Sequence, residues 1–441
     1  MTHRYLSVLL LVAACGELAE TDSPDASDAV AVQFNGGGGP PPPPPICLQP
    51  RGRPVDHFGM IGSEDWLDTT IHRITGDLTI TGTVKIPPCA VVEIAAKTTI
   101  TVSGSLVLLP NAYGVGPSIW RLDASAWNQI LVTTGGTLSL SGSTVDGGGG
   151  GTSAAAIVVD GGTLIAHSAA IRNSASMGLR VTTGTIDASS YNLTISGSAT
   201  APVFINANIA GSLPLGSYTG NAIDEIQIPT SSWNVVSTSQ TWHNQGVPYH
   251  IIGSTSAALE VRATTGVAVL TIDPGTTLAF DRNSKLAIDS APGQSGPASG
   301  ALVAAGTADA PITFTSAAAS QNPGDWLGIW LGHKIDPRTK IDHAVIAFAG
   351  GASTSSSFSC ATPLPPQNDA AIRMMHLPTE PLTSFVTNTT IISSGKHGID
   401  RGYHTGGSPA DFTATNTFIG LPQNACPQTR PDGICTMPPS C

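Results

Sequence analysis

The sequence predicts an all-β protein whose strands wind into a solenoid. Residues 269–332 show this best, because short apolar runs alternate there with small polar residues, as in Leu270-Thr-Ile272 and Leu278-Ala-Phe280. A period of two is typical of strands that bury one face. The gaps carry Pro-Gly, Asp and Asn, which favour tight turns. No helix-length segment separates these runs, so a coil of β-structure is favoured over a βαβ fold.

The composition agrees with a solenoid and excludes some partners. The chain of 441 residues is long enough for two ordinary domains or one repeat array. Only 11% of its residues are charged, under half the usual ~25%, so its polar surface must consist largely of Ser, Thr, Asn and Gly. The formal net charge is −11 and no stretch forms a basic patch. Nucleic acid is therefore not an expected partner.

The N-terminal stretch predicts export and lipid anchoring. Residues 1–14, a short basic start followed by apolar residues, form a signal peptide that ends in Val-Ala-Ala before Cys15. This resembles a bacterial lipobox, in which Cys15 is lipidated and becomes the mature N-terminus; the alternative is a plain signal peptide with an accidental Cys. The apolar run is shorter than the ~20 residues that span a bilayer, so acyl chains would hold the protein on a membrane.

The residues after Cys15 predict a tether at the outer membrane or cell surface. Gly16 stands where Gram-negative lipoproteins kept at the inner membrane commonly carry aspartate. Residues 15–45 are expected to be disordered, since acidic residues lie there in an Ala/Ser background and four glycines precede six prolines. The prolines form a stiff spacer of roughly 19 Å, which would lift a folded body off the membrane.

The β-pattern begins twice, which predicts two tandem modules. Residues 84–102 align without a gap with residues 270–288, at an offset of 186. Within this match Cys89 stands where Gly275 stands, so the first copy exchanges a turn glycine for a residue that can form a disulfide. The predicted order is a first module at 46–210, a connecting region at 211–253, a second module at 254–421 and a Cys/Pro-rich cap at 422–441.

The cysteines predict disulfides. Without Cys15, six remain, which is an even number in an exported protein: Cys47, Cys89, Cys360, Cys426, Cys435 and Cys441. Their connectivity stays open, although a Cys47–Cys89 pair would secure the N-terminal entry and the last four would brace a cap. Neither Cys-x-x-Cys nor a Cys/His pair occurs at ligand spacing, so we expect no metal site and no cofactor.

Three motifs carry a resemblance to a known superfamily. They are Leu-x-Ile-x-Pro-Gly-Thr at 270–276, Gly-Thr-x-x-x-Pro-Ile-x-Phe-Thr-Ser at 306–316 and Gly-Asp-Trp-x-Gly-Ile at 324–329. This succession resembles right-handed parallel β-helix proteins of the pectate-lyase-like superfamily, and most nearly surface lipoproteins of unassigned role in myxobacteria. The resemblance covers about residues 75–420 and implies a right-handed parallel β-helix. It does not decide activity, because this fold hosts lyases, hydrolases, adhesins and inert scaffolds.

Catalytic motifs of that superfamily are incomplete in this chain. Residues 340–343, Lys-Ile-Asp-His, resemble part of a pectate lyase motif with Lys in place of Trp, but the arginine motif that supplies the base is missing. A corner between strands is therefore the favoured interpretation. The chain also has no Asp-Asp pair of the polygalacturonase kind. A lyase or hydrolase, with Ca²⁺ in the lyase case, would need a cluster from Asp281, Arg282, Asp289, Asp342 and His343.

Two tryptophans are candidates for carbohydrate binding. Trp326 and Trp330 alternate with Leu327, Ile329 and Leu331. If the aliphatic set is the core, both indoles point outward, where aromatic side chains can stack on sugar rings. The alternative, which we favour, is that a neighbouring loop covers them.

The sequence as a whole favours a non-catalytic role. We expect a lipid-anchored, disulfide-braced β-helix at the bacterial surface, a scaffold or adhesin that binds polysaccharide or envelope proteins. The competing hypothesis is a polysaccharide lyase or glycoside hydrolase. Convergence of the five candidate residues in one groove would favour the enzyme, and their scatter around the coil would favour the binding protein.

Overall fold

The computed structural model describes residues 47, 52–151, 155–230, 235–253, 258–289, 297–332, 334–354, 369–375, 383–401 and 410–429. Within them the chain forms thirty-six β-strands and one short 3-10 turn (Ala210–Ser212). The strands pair in parallel along the whole coil, which confirms the predicted all-β parallel β-helix. No helix in the described part of the chain is long and apolar enough to cross a bilayer.

The strands are short, and turns join most of them directly. In chain order they are β1 (Val55–Ile61), β2 (Glu64–Asp65), β3 (Ile71–Ile80), β4 (Thr83–Ile86), β5 (Val91–Ile94), β6 (Thr99–Val102), β7 (Ser105–Leu108), β8 (Ser118–Arg121), β9 (Gln129–Thr133), β10 (Thr137–Ser141), β11 (Thr144–Asp146), β12 (Ala155–His167), β13 (Ala170–Arg172), β14 (Met177–Ile186), β15 (Leu193–Ser196), β16 (Val203–Ile205), β17 (Gly216–Ser217), β18 (Ile226–Pro229), β19 (Val235–Val236), β20 (Gln240–Trp242), β21 (Tyr249–Ile252), β22 (Ala258–Val261), β23 (Ala268–Ile272), β24 (Thr277–Phe280), β25 (Lys285–Ile288), β26 (Gly300–Ala305), β27 (Ile312–Ser316), β28 (Gly328–Leu331), β29 (Lys340–Asp342), β30 (Ala344–Ala347), β31 (Ala370–Met374), β32 (Val386–Thr387), β33 (Thr390–Ile392), β34 (His397–Asp400), β35 (Thr417–Ile419) and β36 (Gln428–Thr429).

Three ladders of strands form the three faces of the coil. Face 1 runs through β5, β8, β11, β13, β15 and β17. Face 2 runs through β6, β9, β12, β14, β16, β18, β21, β24, β27, β30, β33 and β35. Face 3 runs through β4, β7, β10 and the later parts of β12 and β14.

The C-terminal half keeps the same order around the coil. There, β20, β23, β26, β29 and β32 take the place of face 1. The strands β19, β22, β25, β28, β31, β34 and β36 take the place of face 3. The chain therefore passes from face 1 to face 2 to face 3 in each rung.

The core is a set of apolar stacks that run the length of the coil. On face 2, each inward residue pairs with the next in one unbroken series of buried side chains: Leu78, Ile100, Ile130, Ile157, Leu179, Val203, Ile226, Tyr249, Leu278, Phe314, Ile346 and Ile391. Burying one such side chain contributes about 1.5–3 kcal/mol. The series crosses both predicted modules, and the chain from Cys47 onward forms one compact unit.

The internal sequence repeat matches strands and turns rather than faces. Val92 aligns with Leu278 in sequence, but Val92 lies on face 1, paired with Ile119, whereas Leu278 lies on face 2, paired with Tyr249. The spacing of strand and turn is thus what recurs. The division of the β-helix into two tandem modules therefore remains a prediction.

The turn equivalence within that repeat is confirmed. Cys89 has φ +65° and Gly275 has φ +77°, so both adopt the left-handed backbone that favours glycine. Cys89 forms a disulfide with Cys47, as predicted, and this ties the N-terminal entry to the turn between β4 and β5. Cys426 is also disulfide-bonded.

Several predictions lie outside the described residues. They concern Cys15, Cys360, Cys435 and Cys441, the signal peptide and the tether at 15–45.

Candidate functional site

The coil has a groove where the strand pattern of face 3 fails. After β16 the chain does not form a strand on face 3 but makes the 3-10 turn Ala210–Ser212. A groove of about 790 Å³ opens there, at the corner between face 3 and face 1. Its walls come from three successive rungs, with lining residues that lie within 184–191, 208–215 and 240–243 and do not include Asp187. Residues distant in sequence therefore meet at one place on the surface.

Local sequence explains the 3-10 turn. The Ile209 N–H donates to Asn206 O at 2.9 Å, and the Ser212 hydroxyl donates to Ile209 O at 2.7 Å. Pro214 restricts the preceding Leu213 to extended backbone, where its φ and ψ are −63° and 120°. The alternating apolar pattern stops at this point, so a turn is favoured over a strand.

Gln240 fixes this turn to the next rung. Its Oε1 accepts hydrogen bonds from the Gly211 N–H at 2.8 Å and from the Trp242 indole N–H at 3.3 Å. Its Nε2 donates to Ala207 O at 3.0 Å. A β-carbon at Gly211 would lie 2.8 Å from Gln240 Oε1, so glycine is required for this close approach. These hydrogen bonds hold the floor of the groove against the next rung.

Exposed apolar groups line the rim. Tyr191 is 56% exposed and Leu215 is 59% exposed. The Tyr191 ring stacks on His167 with centroids 5.1 Å apart, and His167 Nε2 lies 3.2 Å from the Ser189 hydroxyl. The tyrosine ring is thus held in place while one side stays open to solvent.

The groove also carries polar groups that can accept a ligand. His243 Nδ1 lies 2.7 Å from Asp273 Oδ2, which orients the imidazole. Four polar atoms at the groove have no hydrogen-bond partner among the described residues: Tyr191 Oη, Asn208 Nδ2, Thr241 Oγ1 and His243 Nε2. Among the described residues that line the groove, none is Asp, Glu, Lys or Arg. The site therefore offers an aromatic surface together with amide, hydroxyl and imidazole hydrogen-bonding groups.

Comparison with protein-family models, with curated proteins and with solved structures gives no match. The function must therefore be argued from the geometry.

The structure buries Trp326, one of the two predicted sugar-binding tryptophans. It is 0% exposed, stacks on Phe280 with centroids 4.3 Å apart, and donates its indole N–H to Ala347 O at 2.8 Å. The expected outward orientation of this indole is wrong because β28 begins only at Gly328. Trp326 precedes the strand, so the alternation of faces does not extend to it.

Trp330 does lie on β28 but is covered, by side chains of the neighbouring strands β25 and β31 rather than by the loop that the favoured alternative proposed. Only 4% of it is exposed. Its ring lies between two cations, with Lys285 Nζ 4.0 Å and Arg373 Cζ 4.6 Å from the ring centroid. Burial lowers the pKa of Lys285, and the nearby Arg373 lowers it further. Neither predicted tryptophan offers an open face to a sugar.

The five candidate catalytic residues occupy three corners of the coil. Asp281 and Arg282 follow β24, Asp289 follows β25, and Asp342 and His343 end β29 and precede β30. They do not meet in one groove, and none of them lines the groove described above.

Four of these five residues, all but His343, have a side-chain hydrogen-bond partner among the described residues. Arg282 Nε lies 3.3 Å from Asp325 Oδ1. Asp289 accepts from the backbone and hydroxyl of Ser299. Although burial opposes its charge, hydrogen bonds from Asn388, Thr387 and Lys340 hold the pKa of Asp342 far below its usual range. His343 has φ +48°, which fits the predicted corner.

Sequence reasoning missed an ionic cluster on face 2. His250 Nδ1 lies 2.9 Å from Glu225 Oε1, and His250 Nε2 lies 2.8 Å from Asp281 Oδ1. Burial opposes the charged imidazole, but the hydrogen bonds to both carboxylates raise the pKa of His250. The cluster bridges three successive rungs, with Glu225 before β18, His250 on β21 and Asp281 after β24. Its role is consistent with clamping these rungs together.

No metal site is found in the part of the chain that the structure describes. Its His, Cys, Asp and Glu side chains form no group of three that could hold a metal ion.

Proposed function

We propose that this protein is a non-catalytic, polysaccharide-binding protein of the bacterial cell surface, and that the groove at the corner of faces 3 and 1 is its binding site. The observation that carries the proposal is the open Tyr191 ring in a groove whose neighbouring polar atoms have no hydrogen-bond partner among the described residues. The role is that of a scaffold or adhesin.

The chemistry of the groove favours a sugar. A pyranose ring has an apolar C–H surface that stacks on an aromatic ring, and hydroxyls around it that need hydrogen-bond partners. Tyr191 supplies the first, and Asn208, Thr241 and His243 supply the second. The described lining residues include no Lys or Arg, which favours a neutral glycan over a polyuronate or a phosphate-rich polymer, since polyanions are recognised by basic residues.

The cellular setting is part of the same proposal. Lipidation at Cys15 would anchor the chain, and the Gly/Pro-rich tether would hold the groove away from the membrane. The motifs of residues 270–329 support membership of the pectate-lyase-like superfamily.

Glycan binding by the purified chain tests the proposal. Neutral polysaccharides (xylan, cellulose derivatives, mannan) are compared with pectin and alginate by affinity electrophoresis. We expect retention by a neutral glycan and, for Tyr191→Ala, about tenfold weaker binding, equivalent to roughly 1.4 kcal/mol. Ile419→Ala is the matched control, because Ile419 is 51% exposed and lies on β35, far along the coil.

Three outcomes would contradict the proposal. Tyr191→Ala binding like the unaltered chain would show that the groove is not the site. Preference for pectin or alginate would refute the neutral ligand. New reducing ends, or the absorbance of unsaturated uronates, would show that the protein is an enzyme.

A further inference from the structure

A continuous ridge leads from the groove towards the N-terminal end of the coil. It follows the corner between faces 3 and 1, where the chain turns once in every rung. The backbone hydrogen bonds along it run from Gly116 N–H to Gly142 O (2.9 Å), from Gly142 N–H to His167 O (2.8 Å), from Ser168 N–H to Tyr191 O (2.9 Å) and from Asn192 N–H to Leu215 O (3.0 Å). The rim residues Tyr191 and Leu215 are therefore the last two steps of this ridge.

The other end of the ridge carries a second exposed aromatic ring. Tyr113 is 48% exposed and lies in the turn that precedes β8. Asn111 Oδ1 accepts from the backbone N–H of Tyr113 at 2.9 Å and of Val115 at 3.0 Å, which fixes the turn. The rungs of Tyr113 and Tyr191 are three steps apart, or about 14 Å along the axis at the usual strand spacing.

Glycine lets the turn that carries Tyr113 pack closely against the next rung of the ridge. Gly142 has φ +59°, and a β-carbon there would lie 1.8 Å from Gly114 O. Only glycine fits this position, so no side chain stands on that step. The turn of Tyr113 is thereby held beside the rung that leads on to His167.

We infer that the groove is one end of an extended binding track, and that a neutral glycan chain of several sugar units lies along the corner from Leu215 through Tyr191 and His167 to Tyr113. The inference rests on the proposed function. Neighbouring rungs lie about 4.8 Å apart, a distance of the order of one sugar unit, so a chain along the corner would pass several rungs in a few sugars. Tyr113 is then a distal stacking residue that only longer chains reach.

The dependence of affinity on chain length tests this inference. Xylo-, cello- and manno-oligosaccharides of increasing length are titrated by calorimetry into the full chain and into Tyr113→Ala, Tyr191→Ala and Ile419→Ala. We expect affinity to rise with length and then level off. Tyr113→Ala should leave the shortest binding oligosaccharides unaffected and weaken the longest about tenfold. Tyr191→Ala should weaken all of them, and Ile419→Ala none.

The possible failures are distinguishable. Affinity that depends on Tyr191 but not on chain length or Tyr113 would overturn the track and leave the groove as the binding site. Equal weakening of short and long oligosaccharides by Tyr113→Ala would also overturn it, because Tyr113 would then act on the fold. Tyr113→Phe separates these cases further, since it keeps the ring and should bind long chains like the unaltered protein. Absence of binding by every oligosaccharide would refute both proposals.

Discussion

The regular coil before β16 and the interrupted stretch after it use similar lengths of chain in different ways. On face 2 the inward residues Ile157, Leu179, Val203 and Ile226 follow one another at intervals of 22, 24 and 23 residues. The interval that contains the groove is thus no longer than its neighbours. The groove arises because residues 206–215 turn instead of extending, and not because residues were inserted.

Because of this difference, the regular part of the coil contributes mainly to stability, whereas the groove is the proposed site of recognition. In the regular part, the alternating pattern buries every second side chain, as in β10, where Leu138 and Leu140 are both 0% exposed. At the interruption, Leu215 stays open to solvent, as does Tyr191 on the rung before it, while face 2 continues beside them. The coil therefore continues where face 3 lacks a strand, because face 2 is uninterrupted there. Substitutions in the regular part should affect stability, and substitutions at the groove should affect glycan binding.

The largest expected effect is on stability, from a substitution in the regular part. Trp127 is fully buried and donates its indole N–H to Asp146 O at 3.1 Å. Trp127→Ala should lower the free energy of unfolding by about 3–5 kcal/mol, because it leaves a cavity. Urea denaturation measures this loss. Glycan affinity of the folded variant should be unchanged. A change in affinity above threefold would show that stability and glycan binding do not depend on separate parts of the coil.

Removal of the N-terminal disulfide should have the next largest effect. Cys47 and Cys89 are 42 residues apart in sequence, and a cross-link over a loop of that length contributes about 2–4 kcal/mol. The double variant Cys47→Ser/Cys89→Ser should lose that amount and keep its glycan affinity. Thermal unfolding with and without reductant checks the assignment, since the double variant should not respond to reductant at this site.

Gln240→Ala should affect both properties, because Gln240 joins the 3-10 turn to the next rung. Losing its bonds to Gly211 and Ala207 should cost about 1–3 kcal/mol of stability and weaken glycan binding several-fold. Gln240→Glu keeps the acceptor and serves as the comparison. Loss of stability with full affinity would show that the turn does not need this support to form the groove.

The smallest expected effect is a pH dependence of stability, caused by His250 on face 2, which continues past the groove. The pKa of His250 is raised in the folded state, so its contribution is fully present below the unfolded pKa of about 6.5 and is lost as pH rises through the folded pKa. Relative to His250→Gln, the unaltered chain should thus be more stable at pH 5.5 than at pH 8. Denaturation curves at both values test this. A difference that grows with pH would contradict the clamp.

Two other histidines should show the opposite trend. His57 and His72 stack on Trp66 near the N-terminal end of the coil, and burial lowers the pKa of each. Their contribution is present above the unfolded pKa and is lost as pH falls through the folded values. His72→Gln should accordingly flatten the acid side of the stability profile, whereas His250→Gln flattens the alkaline side.

The sequence predicts the coil well because the period-two pattern is local. Leu270, Ile272, Leu278 and Phe280 are all buried as predicted. The same rule failed at Trp326 because it was applied to a residue that precedes its strand. Strand limits depend on pairing with neighbouring rungs, which a short stretch of sequence does not reveal.

The groove could not be predicted from any one segment. Tyr191, Leu215 and His243 are about one rung apart in sequence and meet only through the winding of the coil. A signal existed: the alternation stops after Ile205, and Pro214 follows. The predicted connecting region at 211–253 overlaps two of the three groove segments. The loss of the alternating apolar pattern in this region is the sequence feature that coincides with the groove.

The position of the Cys47–Cys89 disulfide has a mechanical consequence. If Cys15 is lipidated as proposed, a pull on the anchor would enter the body at Cys47 and pass through the sulfur bridge directly to Cys89. The 41 residues between them lie outside this covalent path, so β1 to β4 would bear none of the tension. A force exerted by a bound polymer would instead act on the coil from Cys89 onward. The first rungs would stay folded and cover the N-terminal end of the core.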